Sequence, residues 1–317
     1  MMNSEILIQS NYPLPVLKRG KVRDIYEKED HLLIVSTDRV SAFDVILPNG
    51  IPSKGWALNQ LSVYWLEKTK SIFPNHFIEQ TDERSIEVLR ADRIDIEWVA
   101  RSHIYGSAWR KYIGGEHFIS GLSLPSGLQL AEELPEIILT PTTKSEVGHD
   151  IELSKSDAIN KGIVSRDEWS ILEEATFRLY DFYKKEAARK DLMIPDFKLE
   201  YGKVKGELIQ IDEPPTHDSA RLWSKKHYRI GERQEAHSLD KEFLRDFLMR
   251  RGYTGDGKPP NLPPILIDQV SKRCVGAYKV LASEARLDDL SLMSVDEILR
   301  SLEADKSYLK RSMRTGK

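Results

Sequence analysis

A single cysteine, Cys274, stands in 317 residues, which excludes an internal disulfide and a cysteine-based metal cage. No apolar run approaches the roughly 18 residues that a membrane-spanning helix needs. Neither sign of charge dominates, since 47 Lys+Arg against 50 Asp+Glu leave a net charge of −3. No global field therefore draws the chain to nucleic acid or to an anionic membrane. The opening MMNSEILIQSNYPLP has no basic flank followed by an apolar core, so no secretory leader is expected there. The phosphate-loop signatures GxxxxGK[ST] and GxGxxG are missing, and so is the nucleophile elbow GxSxG. The six Trp are scattered rather than interleaved with basic residues, which argues against a base-stacking platform. Internal repeats and low-complexity tracts are also missing. What is present, 40% hydrophobic and 31% charged residues with 18 Gly and 15 Pro, is globular composition. The expectation is a cytoplasmic protein of one large domain or two ordinary ones.

The first third reads as strands with one helix. Val22–Glu27 and His31–Ser36 are β-prone runs separated by Lys28-Glu29-Asp30, a hairpin. A turn-rich stretch, TDRVSAFDVILPNGIPSKG, is followed by Leu58, Leu61, Ser62, Trp65, Leu66 and Thr69 at helical spacing. Leu89–Ala100 reads as a strand crossing between lobes, with a boundary near residues 90–100. Further on, Ser165 and Glu168 form a capping box before Trp169, Leu172, Thr176, Leu179 and Tyr183. Ser238 is expected to cap a second helix, with Phe243, Leu244, Phe247 and Leu248 on one face and Gly252 at its end. A third helix should run from about Ile265 to Leu281, and a last one should start at Ser294. Strands and helices without regular alternation give an α+β protein of at least two lobes.

Three segments carry candidate chemistry. In Ile194–Asp218, strand alternation puts Asp196, Lys198 and Glu200 on one face and Phe197, Leu199 and Tyr201 on the other. Lys205-Gly206 reads as a tight turn that returns ELIQID as the partner strand and brings Asp212 within reach of Glu200. Two carboxylates so placed call for a cation or proton between them, and Mg²⁺ prefers such oxygen ligands. The alternative is a solvated hairpin face. Lys18-Arg19-Gly20-Lys21-Val22-Arg23-Asp24 sets four cations around one glycine, suited to polyphosphate or simply a basic turn. Glu97 to Arg101 leads into Gly106-Ser107 before a helical pattern. This is either an anion site with Arg101 as clamp or an ordinary helix start. His149-Asp150 and His217-Asp218-Ser219 invite a triad reading, but sequence neighbours do not supply triad geometry. Cys274 lies in an apolar stripe and should simply be packed. Asp38, Arg39, Ser41 and Asp44 form a polar loop.

Taken together and in order, these segments resemble the phosphoribosylaminoimidazole-succinocarboxamide synthase (SAICAR synthetase) family along nearly the whole chain. The resemblance rests on GKVRDIY at Gly20–Tyr26, TDRVSAFD at Thr37–Asp44, Glu97 through Ser107 and LTPTTKSE at Leu139–Glu146. It continues with DFKLEYG at Asp196–Gly202, Asp212-Glu213, DSAR at Asp218–Arg221, SLDKEFLRD at Ser238–Asp246, and KPPNLP. Four positions depart from the pattern: Asp95, Pro195, Tyr201 and His217; none removes a group assigned to chemistry, and by the resemblance Asp95 would fall in the hinge beside the adenine. The resemblance implies a two-lobed ATP-grasp-like architecture with ATP between the lobes. Residues 1–95 would form a smaller β-rich nucleotide-covering lobe and residues 96–317 a larger α+β lobe. The implied reaction joins carboxyaminoimidazole ribonucleotide (CAIR) to L-aspartate with ATP, through an acyl phosphate, in a monomer or homodimer. Glu200 and Asp212 would hold Mg²⁺, while Lys18, Gly20, Lys21 and Arg23 would bind the nucleotide phosphates. Lys198, Asp196 and Asp212 would serve catalysis. Arg101, Gly106, Ser107, Asp196 and Arg221 would line the ribonucleotide side, with Arg245 near its 5′-phosphate and Lys144 and Asp44 near the substrates. Two rivals are a small-molecule kinase with the same nucleotide cradle and a non-catalytic nucleotide-binding regulatory module.

Overall fold

In this computed structural model residues 5–144 and 151–304 are described. β1 (Val16–Arg19) lies on the edge of β2 (Arg23–Lys28), which pairs with β3 (His31–Ser36) so that Lys28 faces His31. The hairpin turns where expected, with Glu29 at a φ of 54°. The turn-rich stretch holds only the two-residue strands β4 (Ser41–Ala42) and β5 (Val45–Ile46). α1 (Lys54–Thr69) buries Leu58, Leu61, Trp65 and Leu66, the stripe set by its 3.6-residue period. β6 (Phe77–Asp82) and β7 (Ser85–Leu89) complete an antiparallel sheet of order β1-β2-β3-β7-β6.

Leaving this sheet at Leu89, the chain enters the second through β8 (Asp92–Arg93) and β9 (Ile96–His103). The single strand expected over Leu89–Ala100 is therefore broken. The Ile94 N–H bonds to the Tyr201 carbonyl (2.9 Å) and the Ile96 N–H folds back onto the Ile94 carbonyl (2.7 Å). α2 (Gly106–Ile113), the hairpin β10 (Phe118–Ile119) and β11 (Leu122–Ser123), β12 (Glu133–Leu139) and β13 (Thr142–Thr143) follow. Next come α3 (Lys155–Asn160) and α4 (Arg166–Ala188). The strands β14 (Leu192–Met193), β15 (Asp196–Val204), β16 (Glu207–Ile211) and β17 (Trp223–Ser224) precede α5 (Glu242–Arg250) and α6 (Pro264–Ala282). The second sheet runs β12-β9-β15-β16, with β13 on β9 and β8 on β15. Among the described residues no helix is long and apolar enough to cross a membrane.

α4 begins as its sequence dictates. Ser165 Oγ accepts from the Glu168 N–H (3.1 Å), and the Glu168 carboxylate accepts from the Ser165 N–H (2.8 Å). Its apolar face covers β9 and β15, where Tyr180 stacks on Phe197 at 5.1 Å and Trp98 meets Trp169 at 4.7 Å. α1 packs on α6, with Trp56 edge-on to Tyr278, and Val40, Ala42 and Leu47 share a core with Phe243, Leu244 and Phe247. Ser238 does not cap α5. It closes a short turn, and the Asp240 carboxylate instead accepts from the Glu242 N–H at 2.8 Å. The expected face of α5 is buried, and Gly252, at φ 79°, follows its end. Ser294 and Glu297 cap a helix that opens at residue 295.

Replacing Ser165 by Ala removes one half of the α4 cap. The expected result is a loss of about 1 kcal/mol, a thermal midpoint roughly 2 °C lower, with the circular dichroism of the folded state unchanged. An unchanged midpoint would mean that packing alone fixes where α4 starts.

Candidate active site

β15 sets the site. Its even residues Asp196, Lys198 and Glu200 face away from the Phe197, Leu199 and Tyr201 that bury against α4 and α1. β9 runs antiparallel beside it, with Arg101 opposite Asp196 and Val99 opposite Lys198. On the other side Glu200 faces Ile211, so Asp212, just past β16, stands beside it. The connecting turn puts both Lys205 (φ 51°) and Gly206 (φ 87°) in the left-handed region, the geometry of a two-residue hairpin turn.

At this end of the row the charges interlock. The Lys144 ammonium contacts both Glu200 oxygens, and the Arg23 guanidinium, reaching over from the first sheet, contacts Asp212. Lys198 Nζ lies 2.7 Å from Glu97 and 3.5 Å from Glu200. Burial and the Asp212 charge push the Glu200 carboxyl up to about 7, against the pull of Lys198 and Lys144. Burial would raise Asp212 too, but Arg23, Lys144 and Lys198 together hold it below the usual carboxylate range. Burial disfavours the Lys198 ammonium, yet Glu200, Glu97 and Asp212 outweigh it and keep it protonated. Beside Lys144 opens a cleft of about 480 Å³, lined among others by Arg93, Asp95, Lys161, Ile163 and Lys203. Arg93 and Asp95, both in its lining, pair with each other at 2.7 Å.

The opposite end is a guanidinium cluster. Arg101 donates to Thr140 (2.8 Å), Asp196 (3.1 Å) and Ser107 (3.2 Å). Arg221 grips both Asp196 oxygens (2.8 and 2.6 Å) and donates to Glu242 (3.0 Å), which Arg245 also contacts. Gly106, at φ 59°, opens α2, and a Cβ there would come within 2.1 Å of the Arg221 guanidinium. Arg221 also lies over the Tyr105 ring, 5.2 Å from its centre. Arg110, exposed on α2, adds its charge to that of Arg221 and Arg245.

The basic segment is split by the structure. Lys18 lies on β1 opposite Ile25, Lys21 pairs with Asp44, and Arg23 is drawn into the Glu200–Asp212 end. Gly20 donates its N–H to the Arg23 carbonyl (2.8 Å), and Arg39 holds the turn through the Gly20 carbonyl (2.9 Å). Sequence reasoning gave no role to Glu97, Glu242 or Arg110. Glu97 shares the parity of Arg101 on β9, and Glu242 precedes Arg245 by one helical turn, so both were within reach of pattern analysis. His149-Asp150 lies outside the described residues, and Cys274 is packed in α6.

Among the described residues no cluster of three or more His, Cys, Asp or Glu could by itself hold a metal. Glu200 and Asp212 are two facing carboxylates, which suits an ion that completes its shell with phosphate oxygens and water. Two antiparallel sheets that carry a cleft, paired carboxylates and cations, with a guanidinium cluster beyond, suit an enzyme that handles phosphate-bearing, anionic substrates.

The chain belongs to the SAICAR synthetase family, whose model matches residues 16–260. The phosphoribosylaminoimidazole-succinocarboxamide synthase of Thermodesulfovibrio yellowstonii is 38% identical over 294 residues, covering 88% of this chain and 99% of that protein. The enzyme of the same name from Bacteroides fragilis is 37% identical, over 84% of this chain and 86% of its own. Among solved structures, the Saccharomyces cerevisiae SAICAR synthase complexed with SAICAR superposes with a TM-score of 0.78 at 33% identity, covering 88% and 99% of the two chains. A SAICAR synthetase in complex with ADP superposes at 0.62 with 27% identity, covering 82% and 97%.

Replacing Gly106 by Ala puts a methyl group into the Arg221 guanidinium at a left-handed backbone position. The expected cost is about 1–3 kcal/mol, read by urea unfolding. A loss of no more than about 1 kcal/mol, the backbone strain alone, would show that Arg221 has a second place to go.

Proposed function

We propose that this chain joins CAIR to L-aspartate at the expense of ATP, giving SAICAR, ADP and phosphate in purine biosynthesis. The observation that carries the reading is the β15 row, with a cleft and paired carboxylates at one end and a guanidinium cluster at the other. From Asp196 to Glu200 the strand spans about 13 Å, room for one substrate to lie along it. ATP would bind between the 1–95 and 96–317 lobes, its phosphates directed to Lys144, Arg23 and Lys198, with Lys18, Gly20 and Lys21 covering them. Arg101, Ser107 and Arg221 take the ribonucleotide, with Arg245 toward its 5′-phosphate, and Gly106 leaves the space that Arg221 occupies. Asp44, beside Lys21, lies on the substrate side. The enzyme works in the cytoplasm, as a monomer or homodimer.

The chemistry follows from what a carboxylate lacks. It is a poor acyl donor, so one of its oxygens first takes the γ-phosphoryl group, and the β–γ bridging oxygen leaves with ADP. The aspartate amine then attacks the acyl carbon, the carbon–oxygen bond to phosphate breaks, and the nitrogen gives up a proton. Both steps need alignment and charge neutralisation rather than a covalent protein nucleophile. Lys198, whose ammonium form Glu200, Glu97 and Asp212 favour, supplies positive charge to the phosphates. Asp196 holds both Arg101 and Arg221 beside each other. Glu200 and Asp212 would hold Mg²⁺, which when bound neutralises the phosphate oxygens.

The test is ADP release by the purified protein with ATP, Mg²⁺ and CAIR, with and without L-aspartate. Release that requires aspartate and matches amide formation is expected; release without aspartate and a stable phosphorylated product would favour a small-molecule kinase. No release would favour a regulatory module. Asp212→Asn should leave the fold intact and lower turnover about 100-fold or more, since one of two metal carboxylates is lost. Near-normal turnover at saturating Mg²⁺ would overturn the metal assignment. Arg101→Ala should chiefly raise the KM for CAIR, and a rise confined to the KM for aspartate would place Arg101 wrongly.

A further inference from the structure

His217-Asp218 has no part in the chemistry above, yet it lies in the loop that carries Asp212 at one end and Arg221 at the other. His217 is buried, and neither ring nitrogen has a hydrogen-bond partner among the described residues. Asp218 is different. Its side chain is 2% exposed and is held from two directions. Lys54 Nζ, in the first turn of α1 and itself fully buried, lies 2.5 Å from Asp218 Oδ2. Lys241 Nζ, at the start of α5, lies 3.3 Å from Oδ1.

A lysine at a helix N-terminus works against the positive end of the helix dipole, and a buried one also loses its hydration. Two such lysines converging on one carboxylate are costly unless that carboxylate is held where it is needed. The rest of the loop is tied around it. The Asp218 N–H donates to Thr216 Oγ1 (3.1 Å), the Lys198 N–H to the Ser219 carbonyl (3.0 Å), and the Arg221 N–H to the Asp196 carbonyl (3.1 Å). Leu222 donates to Asp240 at 2.8 Å, two residues before the Glu242 that receives Arg221. The Gly55 N–H donates to Asp38, which Arg84 also holds (2.8 and 2.9 Å), so the grip extends to the first sheet.

We infer that Asp218, gripped by Lys54 and Lys241, is a positioning residue that sets the place of Arg221 and through it the affinity for the ribonucleotide. The inference rests on the ligase reading. Asp212 lies six residues away and has its own anchor in Arg23, so the nucleotide end is held independently.

The experiment uses the full chain with Asp218→Asn, Lys54→Met and the double variant, measuring SAICAR binding by calorimetry and the KM values for CAIR and ATP. Thermal melts confirm that each is folded at the assay temperature. SAICAR dissociation and the KM for CAIR should rise about tenfold or more with the KM for ATP unchanged, as for a small displacement remote from the reacting atoms. The double variant should be no worse than Asp218→Asn, because both changes break one pair. If Asp218→Asn does not fold, Lys241→Met, which removes the longer contact, carries the same test. A lower melting temperature with unchanged constants would make the cluster purely structural and overturn the inference, as would CAIR and ATP constants that rise together. Failure of the unaltered protein to bind SAICAR would instead overturn the ligase reading and the inference with it.

Discussion

Strand β15 has to satisfy two solvents at once, and the rest of the structure is arranged around that demand. Phe197, Leu199 and Tyr201 bury against α4, where Tyr180, Tyr183 and Trp169 wait for them. With the period fixed at two, Asp196, Lys198 and Glu200 must then emerge together on the other side. A slip of one residue would put three charges into the core and three apolar side chains into the site. The register with β9 and β16 is therefore as much a catalytic property as a structural one.

Of the emerging charges Asp196 and Glu200 are buried and Lys198 is half-buried, and an isolated buried charge is not tolerated. Each is met by its opposite: Asp196 by Arg101 and Arg221, Lys198 by Glu97 and Glu200, Glu200 by Lys144, Asp212 by Arg23. Such pairs add little net stability, because desolvation offsets the attraction. They do fix geometry, and fixed charge is what a reaction passing through phosphoryl and acyl-phosphate stages requires. The site is a set of mutually neutralised ions.

The sequence made visible what is local. The alternation of β15, the Lys205-Gly206 turn and the Ser165–Glu168 cap are each contained in a few residues, and each is found as expected. The Leu89–Ala100 strand fails because Ile94 bonds to Tyr201, a partner more than a hundred residues away that periodicity does not reveal. Ser238 fails for a smaller reason: α5 opens later, at Glu242, whose N–H goes to Asp240, a carboxylate that also holds Leu222. The contacts that complete the site are the least legible: Arg23 meets Asp212 across 189 positions and Lys54 meets Asp218 across 164. The family resemblance supplied residues for the site without supplying these pairings, and Lys54 was in none of its motifs.

In the proposed reaction this row of charges turns a carboxylate into an acyl phosphate. The most direct measurement labels both carboxylate oxygens of CAIR with ¹⁸O and weighs the inorganic phosphate formed with ATP and L-aspartate. Transfer of one labelled oxygen into each phosphate is predicted, since the oxygen that accepts the phosphoryl group leaves with it. Unlabelled phosphate formed alongside SAICAR would mean that the carboxylate is never phosphorylated, and would overturn the acyl-phosphate route.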